Sequence, residues 1–147
     1  MTLGWIAGAV GGELRGGNRD TEVKEVVTDS RAITAGDVFV ALRGPRFDAH
    51  DFVGEVLDRG AVAIVERGWA DRVDLNVRPY DGAVSKASEG GGATAKAALQ
   101  VRRGVIVVGD TLQALQRLAH AVRTAVTTQV IAITGSAGKT TTKETIA

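Results

Sequence analysis

The stretch Val130 to Ala147, VIAITGSAGKTTTKETIA, leaves this chain few architectures to choose from. Val130, Ile131, Ala132 and Ile133 form a short apolar, mostly β-branched run, the composition of a strand buried on both faces. The run enters Gly135-Ser136-Ala137-Gly138-Lys139-Thr140, where two glycines permit a tight turn whose backbone N–H groups converge on an anion. Thr141-Thr142-Lys143-Glu144 then suits a helix start. Strand, glycine-rich turn and helix in that order predict a phosphate cradle, with Lys139 as the point charge for terminal phosphates and the Thr140 hydroxyl as a Mg²⁺ ligand. The strict pattern G-x-x-x-x-G-K-[ST] asks for glycine where Ile133 stands, so the match is to a shorter form, G-x-x-G-K-T. The competing explanation is a solvated lysine in an ordinary glycine turn; the strand before it and the helix signal after it argue for the cradle.

The rest of the chain is that of an α/β protein. At 147 residues and 44% hydrophobic content there is room for one ordinary domain with a real core. Eighteen Lys+Arg against 17 Asp+Glu leave a net charge of +1, which argues against a sequence-independent nucleic-acid binder or a polybasic membrane anchor. Without cysteine there is neither a disulfide nor a thiolate metal site, and His50 and His120 are too few for a histidine-rich zinc site. Leu3 to Val10 is apolar but short, lacks a basic leader and is followed by Glu13 and Arg15, so no signal peptide or membrane insertion is expected and the protein is assigned to the cytoplasm.

Thr2 is a candidate cap for a helix carrying Leu3, Ile6, Ala7 and Val10 on one stripe, ended by Gly11-Gly12. Gly16-Gly17-Asn18 predicts a loop, Val23 to Thr28 a strand with Val26 and Val27 facing a core, and Ile33 to Asp37 a turn. Val38 to Leu42 predicts a strand covered on both faces, and Asp48 a helix cap before the stripe Ala49, Phe52, Val53, Val56 and Leu57, stopped at Gly60. Ala61 to Val65 completes a right-handed βαβ unit. Gly68 to Gly104 shows no sustained period and predicts a flexible insertion. Val105 to Val108 is a further strand, and Asp110 with Gln113 caps a helix whose inner stripe is Leu112, Leu115, Leu118, Ala119 and Val122, with Arg123 to Gln129 as a linker. His50 is expected at the surface, and His120 packed or half-exposed.

Two separated signatures resemble the Mur ligase family. Thr28-Asp29-Ser30-Arg31, Gly36 to Gly44 (GDVFVALRG), Phe47 to Val53 (FDAHDFV) and Gly60-Ala61-Val62-Ala63 resemble its N-terminal domain, and Ile133 to Glu144 is similar to the ATP loop opening its central domain. The form G-S-x-G-K-T-x-T-K-E is most similar to the branch that adds D-alanyl-D-alanine to a UDP-N-acetylmuramoyl tripeptide. Ala49 departs from the family's more usual glycine. The resemblance implies a small mixed-sheet domain with flanking helices over residues 1–125, binding the UDP substrate, and over 126–147 the first strand and P-loop of an ATPase domain.

It further implies ATP and Mg²⁺ as cofactors, and phosphorylation of a carboxylate followed by amine attack on the acyl phosphate. Gly135, Ser136, Ala137, Gly138, Lys139, Thr140 and Thr141 would hold the ATP phosphates, with Lys139 catalytic and Thr140 on the metal. Thr28, Ser30, Arg31, Pro45, Arg46 and Phe47 would hold the uridine diphosphate end. Ser30 offers a donor and acceptor, the two arginines suit a diphosphate, and Phe47 can stack a ring. Locally, Arg31 could instead pair with Asp29 or Asp37, and Phe47 could be core. The expected polypeptide is then a monomeric N-terminal part of such a ligase that binds the UDP moiety without catalysing alone. The alternatives are the sister ligase adding the third peptide residue, a stand-alone uridine-nucleotide module, and a generic P-loop NTPase.

Overall fold

The computed structural model describes residues 1–72, 104–126 and 134. Thr2 caps α1 (Leu3–Val10) by accepting from the Trp5 N–H, and Gly11, at φ 66°, ends it in the left-handed conformation that glycine reaches at least cost. There follow β1 (Glu13–Gly16), β2 (Val26–Val27), a 3₁₀ turn (Ser30–Ala32) and β3 (Val38–Val40). A second 3₁₀ turn (Ala49–Phe52) leads into α2 (Val53–Asp58), then β4 (Val62–Glu66), α3 (Arg67–Ala70), β5 (Gly104–Val108) and α4 (Thr111–Ala125).

The five strands form one mixed sheet in the order β1-β5-β4-β3-β2, with β1 antiparallel to β5 and the other pairs parallel. Period-2 alternation divides the core between its faces. Val38, Val40, Val62, Ile64, Ile106 and Val108 meet α1 and α4, burying Leu3, Ile6, Val10 and Leu118. Phe39, Ala63, Val65, Val105 and Val107 meet the opposite layer, burying Ala49, Val53, Val56 and Leu57. The strands β3, β4 and β5 are thus covered on both sides, as their unbroken apolar runs predict.

Several expectations are corrected. Glu13 to Gly16 is an edge strand, whereas the sequence suggested only a loop at Gly16. The strand expected over Val23 to Thr28 is paired only at Val26 and Val27, which face opposite clusters. The helix after Asp48 opens as a 3₁₀ turn before becoming α-helical at Val53. Leu112 is 55% exposed and Ala119 is also exposed. With Asp110 as cap, the buried stripe of α4 runs through Thr111, Ala114 and Leu118, flanked by Leu115 and Val122, about a hundred degrees away from Leu112. That helix continues through Arg123 to Ala125, shortening the expected linker, and His120 is exposed. Gly68 lies in α3 and Gly104 in β5, so both ends of the expected insertion belong to the fold. Among the described residues no helix is long and apolar enough to cross a membrane.

Candidate functional site

Two segments leave the carboxyl ends of adjacent parallel strands and face each other, the place where open α/β sheets gather their ligands. Thr28 to Arg31 follows β2, and the loop Arg43 to Asp48 follows β3. Between them lies a cleft of about 490 Å³ walled by Thr28, Asp29, Ser30, Arg31 and Phe47, with Phe39, Ala49 and Phe52 as its apolar floor.

The first wall is set by local hydrogen bonds. Asp29 caps the 3₁₀ turn by accepting from the Arg31 N–H at 3.0 Å, and its carboxylate also takes the Arg31 Nε and Nη2 at 2.9 and 2.7 Å. The Arg31 side chain, then its backbone N–H, hold the Asp29 carboxyl down at about 2, and Asp29 in turn raises Arg31. The Ser30 carbonyl accepts from Arg59 Nη1 at 3.4 Å, tying this wall to the end of α2. Behind it, the buried Asp37 accepts from the N–H and hydroxyl of Thr34 at 2.8 and 2.7 Å, closing the turn that leads to β3. Of the two partners open to Arg31 from the sequence, Asp29 is the one found.

The second wall is a narrow loop. Arg43 and Asp48 form an antiparallel bridge, the Gly44 N–H donates to the Phe47 carbonyl at 2.7 Å, and Arg43 Nε donates to Asp48 Oδ2 at 2.9 Å. Phe47 is 58% exposed, and its ring stacks on Phe52 with centroids 5.6 Å apart, so it is not core. Pro45 and Arg46 occupy the exposed tip and do not line the cleft; Arg46 makes no ion pair among the described residues.

His50 is the largest departure from the sequence expectation, being 2% exposed instead of on the surface. Its Nδ1 lies 2.6 Å from Asp48 Oδ1, and its Nε2 accepts from the Glu66 N–H at 3.0 Å. Burial pushes the Asp48 carboxyl up, but hydrogen bonds from the His50 N–H, the His50 ring and Arg43 outweigh it and hold the group at about 2.

Thr28, Ser30, Arg31 and Phe47, singled out from the sequence, are therefore brought to one cleft. Asp29 in the wall and Phe39, Ala49 and Phe52 in the floor were not singled out as site residues; Asp29 was visible in the Thr28–Arg31 signature, Phe39 in the apolar run of β3, and Ala49 and Phe52 in the helical stripe after Asp48. Gly135 to Thr141, with Lys139 and Thr140, lie outside the described residues, as do Val130 to Ile133.

With the mixed sheet and this cleft in view, comparison with known proteins places the chain in a class. The sequence model for the Mur ligase family, catalytic domain, matches residues 22–123, and the chain belongs to that family. It is 36% identical over 130 residues to the UDP-N-acetylmuramoyl-tripeptide--D-alanyl-D-alanine ligase of Synechocystis, covering 88% of this chain and 23% of that protein. The enzyme of the same name from Escherichia coli is 35% identical over 144 residues, covering 98% of this chain and 25% of that protein. A solved UDP-N-acetylmuramoylalanyl-D-glutamyl-2,6-diaminopimelate--D-alanyl-D-alanyl ligase from Acinetobacter baumannii superposes with a TM-score of 0.66 at 35% identity, covering 97% of this chain and 26% of that one. The chain spans about a quarter of the length of the curated relatives it matches.

Proposed function

We propose that this chain is the part of an ATP-dependent Mur ligase that holds the uridine diphosphate end of a UDP-N-acetylmuramoyl peptide, and that the whole enzyme joins D-alanyl-D-alanine to the tripeptide form. The cleft between Thr28–Arg31 and Phe47 carries this conclusion. Ser30 offers a donor and an acceptor to a uracil edge, Phe47 a face for a ring, and Arg31 a forked set of N–H groups for the diphosphate, with Arg46 a second such set on the loop tip outside the cleft wall. Pro45 shapes the tip and Thr28 the strand end. In the reaction the peptide carboxylate takes the terminal phosphoryl group of ATP as ADP leaves, the amine attacks the acyl carbon, and phosphate departs. Such a step depends on positioning and charge neutralisation. From the order of residues alone, Gly135 to Thr141 would cradle the phosphates, with Lys139 neutralising charge and Thr140 on Mg²⁺. The protein is taken to be cytoplasmic and monomeric.

Calorimetry on the 147-residue chain tests the cleft. UDP and UDP-N-acetylmuramoyl tripeptide should bind in preference to cytidine diphosphate, and Ser30→Ala or Phe47→Ala should each weaken binding about fivefold or more, the scale of one lost hydrogen bond or stacking contact. Equal affinity for the two nucleotides would refute the assignment.

A second possibility is the sister ligase that adds the third residue. The UDP-N-acetylmuramoyl-L-alanyl-D-glutamate--2,6-diaminopimelate ligase of Syntrophomonas wolfei is 31% identical over 136 residues, covering 91% of this chain and 22% of that protein. Genomic sequence past codon 147 that encodes the D-alanyl-D-alanine branch would exclude it.

A further inference from the structure

We propose that His50, as the neutral Nδ1–H tautomer, is a positioning residue that locks the Arg43–Asp48 loop to the end of β4 and so fixes Phe47 at the cleft. Both ring nitrogens are used, and on different elements. Nε2 accepts the Glu66 N–H at 3.0 Å, which requires that nitrogen to carry no proton, leaving the proton on Nδ1 to meet Asp48 Oδ1 at 2.6 Å. Asp48 Oδ1 also accepts the His50 N–H at 3.0 Å, and its Oδ2 accepts Arg43 Nε at 2.9 Å. Arg43 Nη1 then reaches Glu66 Oε2 at 3.1 Å.

Arg43, Asp48, His50 and Glu66 thus close a ring that joins both ends of the loop to a central strand. Trp69 lies over the imidazole with ring centroids 5.7 Å apart. Of the charged side chains in this ring, Asp48 contacts the imidazole directly, while Arg43 reaches it only through Asp48 and Glu66 only through its backbone N–H. Phe47 precedes Asp48 directly, so the carboxylate that His50 holds sets the backbone from which the exposed ring projects. A buried imidazole needs a partner at each ring nitrogen; here the two partners lie on different elements, Asp48 in the loop and Glu66 on β4, so satisfying the ring joins them.

The functional role rests on the nucleotide reading of the cleft, but its first test does not. In the full chain with ¹⁵N-labelled histidine at neutral pH, the His50 ring should show a protonated Nδ1 and an unprotonated Nε2; an Nε2–H ring overturns the proposal whether or not any variant folds. His50→Asn keeps a donor near Asp48 and leaves the Glu66 N–H without its acceptor. It should abolish the nuclear Overhauser contact between the Phe47 and Phe52 rings, and retention of that contact also overturns the proposal. In a double-mutant cycle read by UDP calorimetry, His50→Asn should weaken binding about fivefold or more, and Phe47→Ala should add little on top of it. Additive losses would show that His50 does not act through Phe47. If the unmutated chain binds no UDP, the functional assignment fails, while the tautomer and the ring contact still decide the role of His50.

Discussion

Arg31 and Asp29 grip each other across one intervening residue, with Nη2 2.7 Å from Oδ2 and Nε 2.9 Å from Oδ1, on the open wall of the cleft. The Arg31 guanidinium is therefore already paired, and a diphosphate held there, as proposed, would have to compete with a carboxylate for it. Asp29→Asn keeps a good capping side chain and removes that competitor. UDP should bind several-fold tighter to this variant at low salt, and the gain should shrink as ionic strength rises. Calorimetry at two salt concentrations checks it; unchanged affinity would mean that Arg31 does not meet the phosphates.

The depressed Asp48 carboxyl links folding to acid. Its folded value of about 2 lies below the unfolded value near 4, so the unfolded chain binds the proton more readily. The stability it contributes is complete above about pH 4 and is lost as pH falls toward 2. Asp48→Asn should flatten the acid limb of the stability curve in that window, measured by urea unfolding at stepped pH, and a limb of unchanged slope would place the sensitivity elsewhere.

Gly12 sits where no side chain fits. A Cβ there would lie 2.6 Å from Ile106 Cγ2 and 2.9 Å from Val108 Cγ1, both in the packed interior beneath α1. Gly12→Ala should cost about 1–3 kcal/mol by overpacking, read as a lower urea midpoint with an unchanged slope.

Asp110 starts α4 by accepting the Gln113 N–H at 2.8 Å. Asp110→Ala should cost about 1 kcal/mol and loosen the first turn. Faster amide exchange at Gln113, with little change near Leu118, is the expected signature.

What could be read from the residues was what local chemistry decides. Thr2, the Leu3–Val10 stripe and Gly11 predict α1 to the residue, and the apolar runs predict β3, β4 and β5. The strand β1 was hidden because Glu13-Leu14-Arg15-Gly16 has one apolar side chain and takes its form from pairing with β5. Leu112 looked interior because it is a leucine beside a stripe, and only packing against α1 and the sheet sets the phase of the helix. In the cleft, Thr28, Ser30, Arg31 and Phe47 were recognisable by resemblance. The bonds from Asp29 to Arg31 and from Asp48 to His50 depend on turn geometry, and the Glu66 amide that draws His50 inward is sixteen residues away.

The antiparallel edge of the sheet has a consequence for synthesis. Gly16 pairs with Gly104, and α1 packs on a helix that begins later still. At about 5–20 residues per second, the opening helix and strand wait roughly 5–20 s on the ribosome before their partners emerge. During that interval the sides of Leu3, Ile6 and Val10 that meet β5 and α4 stay uncovered, although Val23 and the β3 and β4 residues of the same cluster have already emerged, and closure across so long a separation is entropically costly and slow. Docking of α1 and β1 onto β5 and α4 is thus among the last closures that this sheet can make during translation.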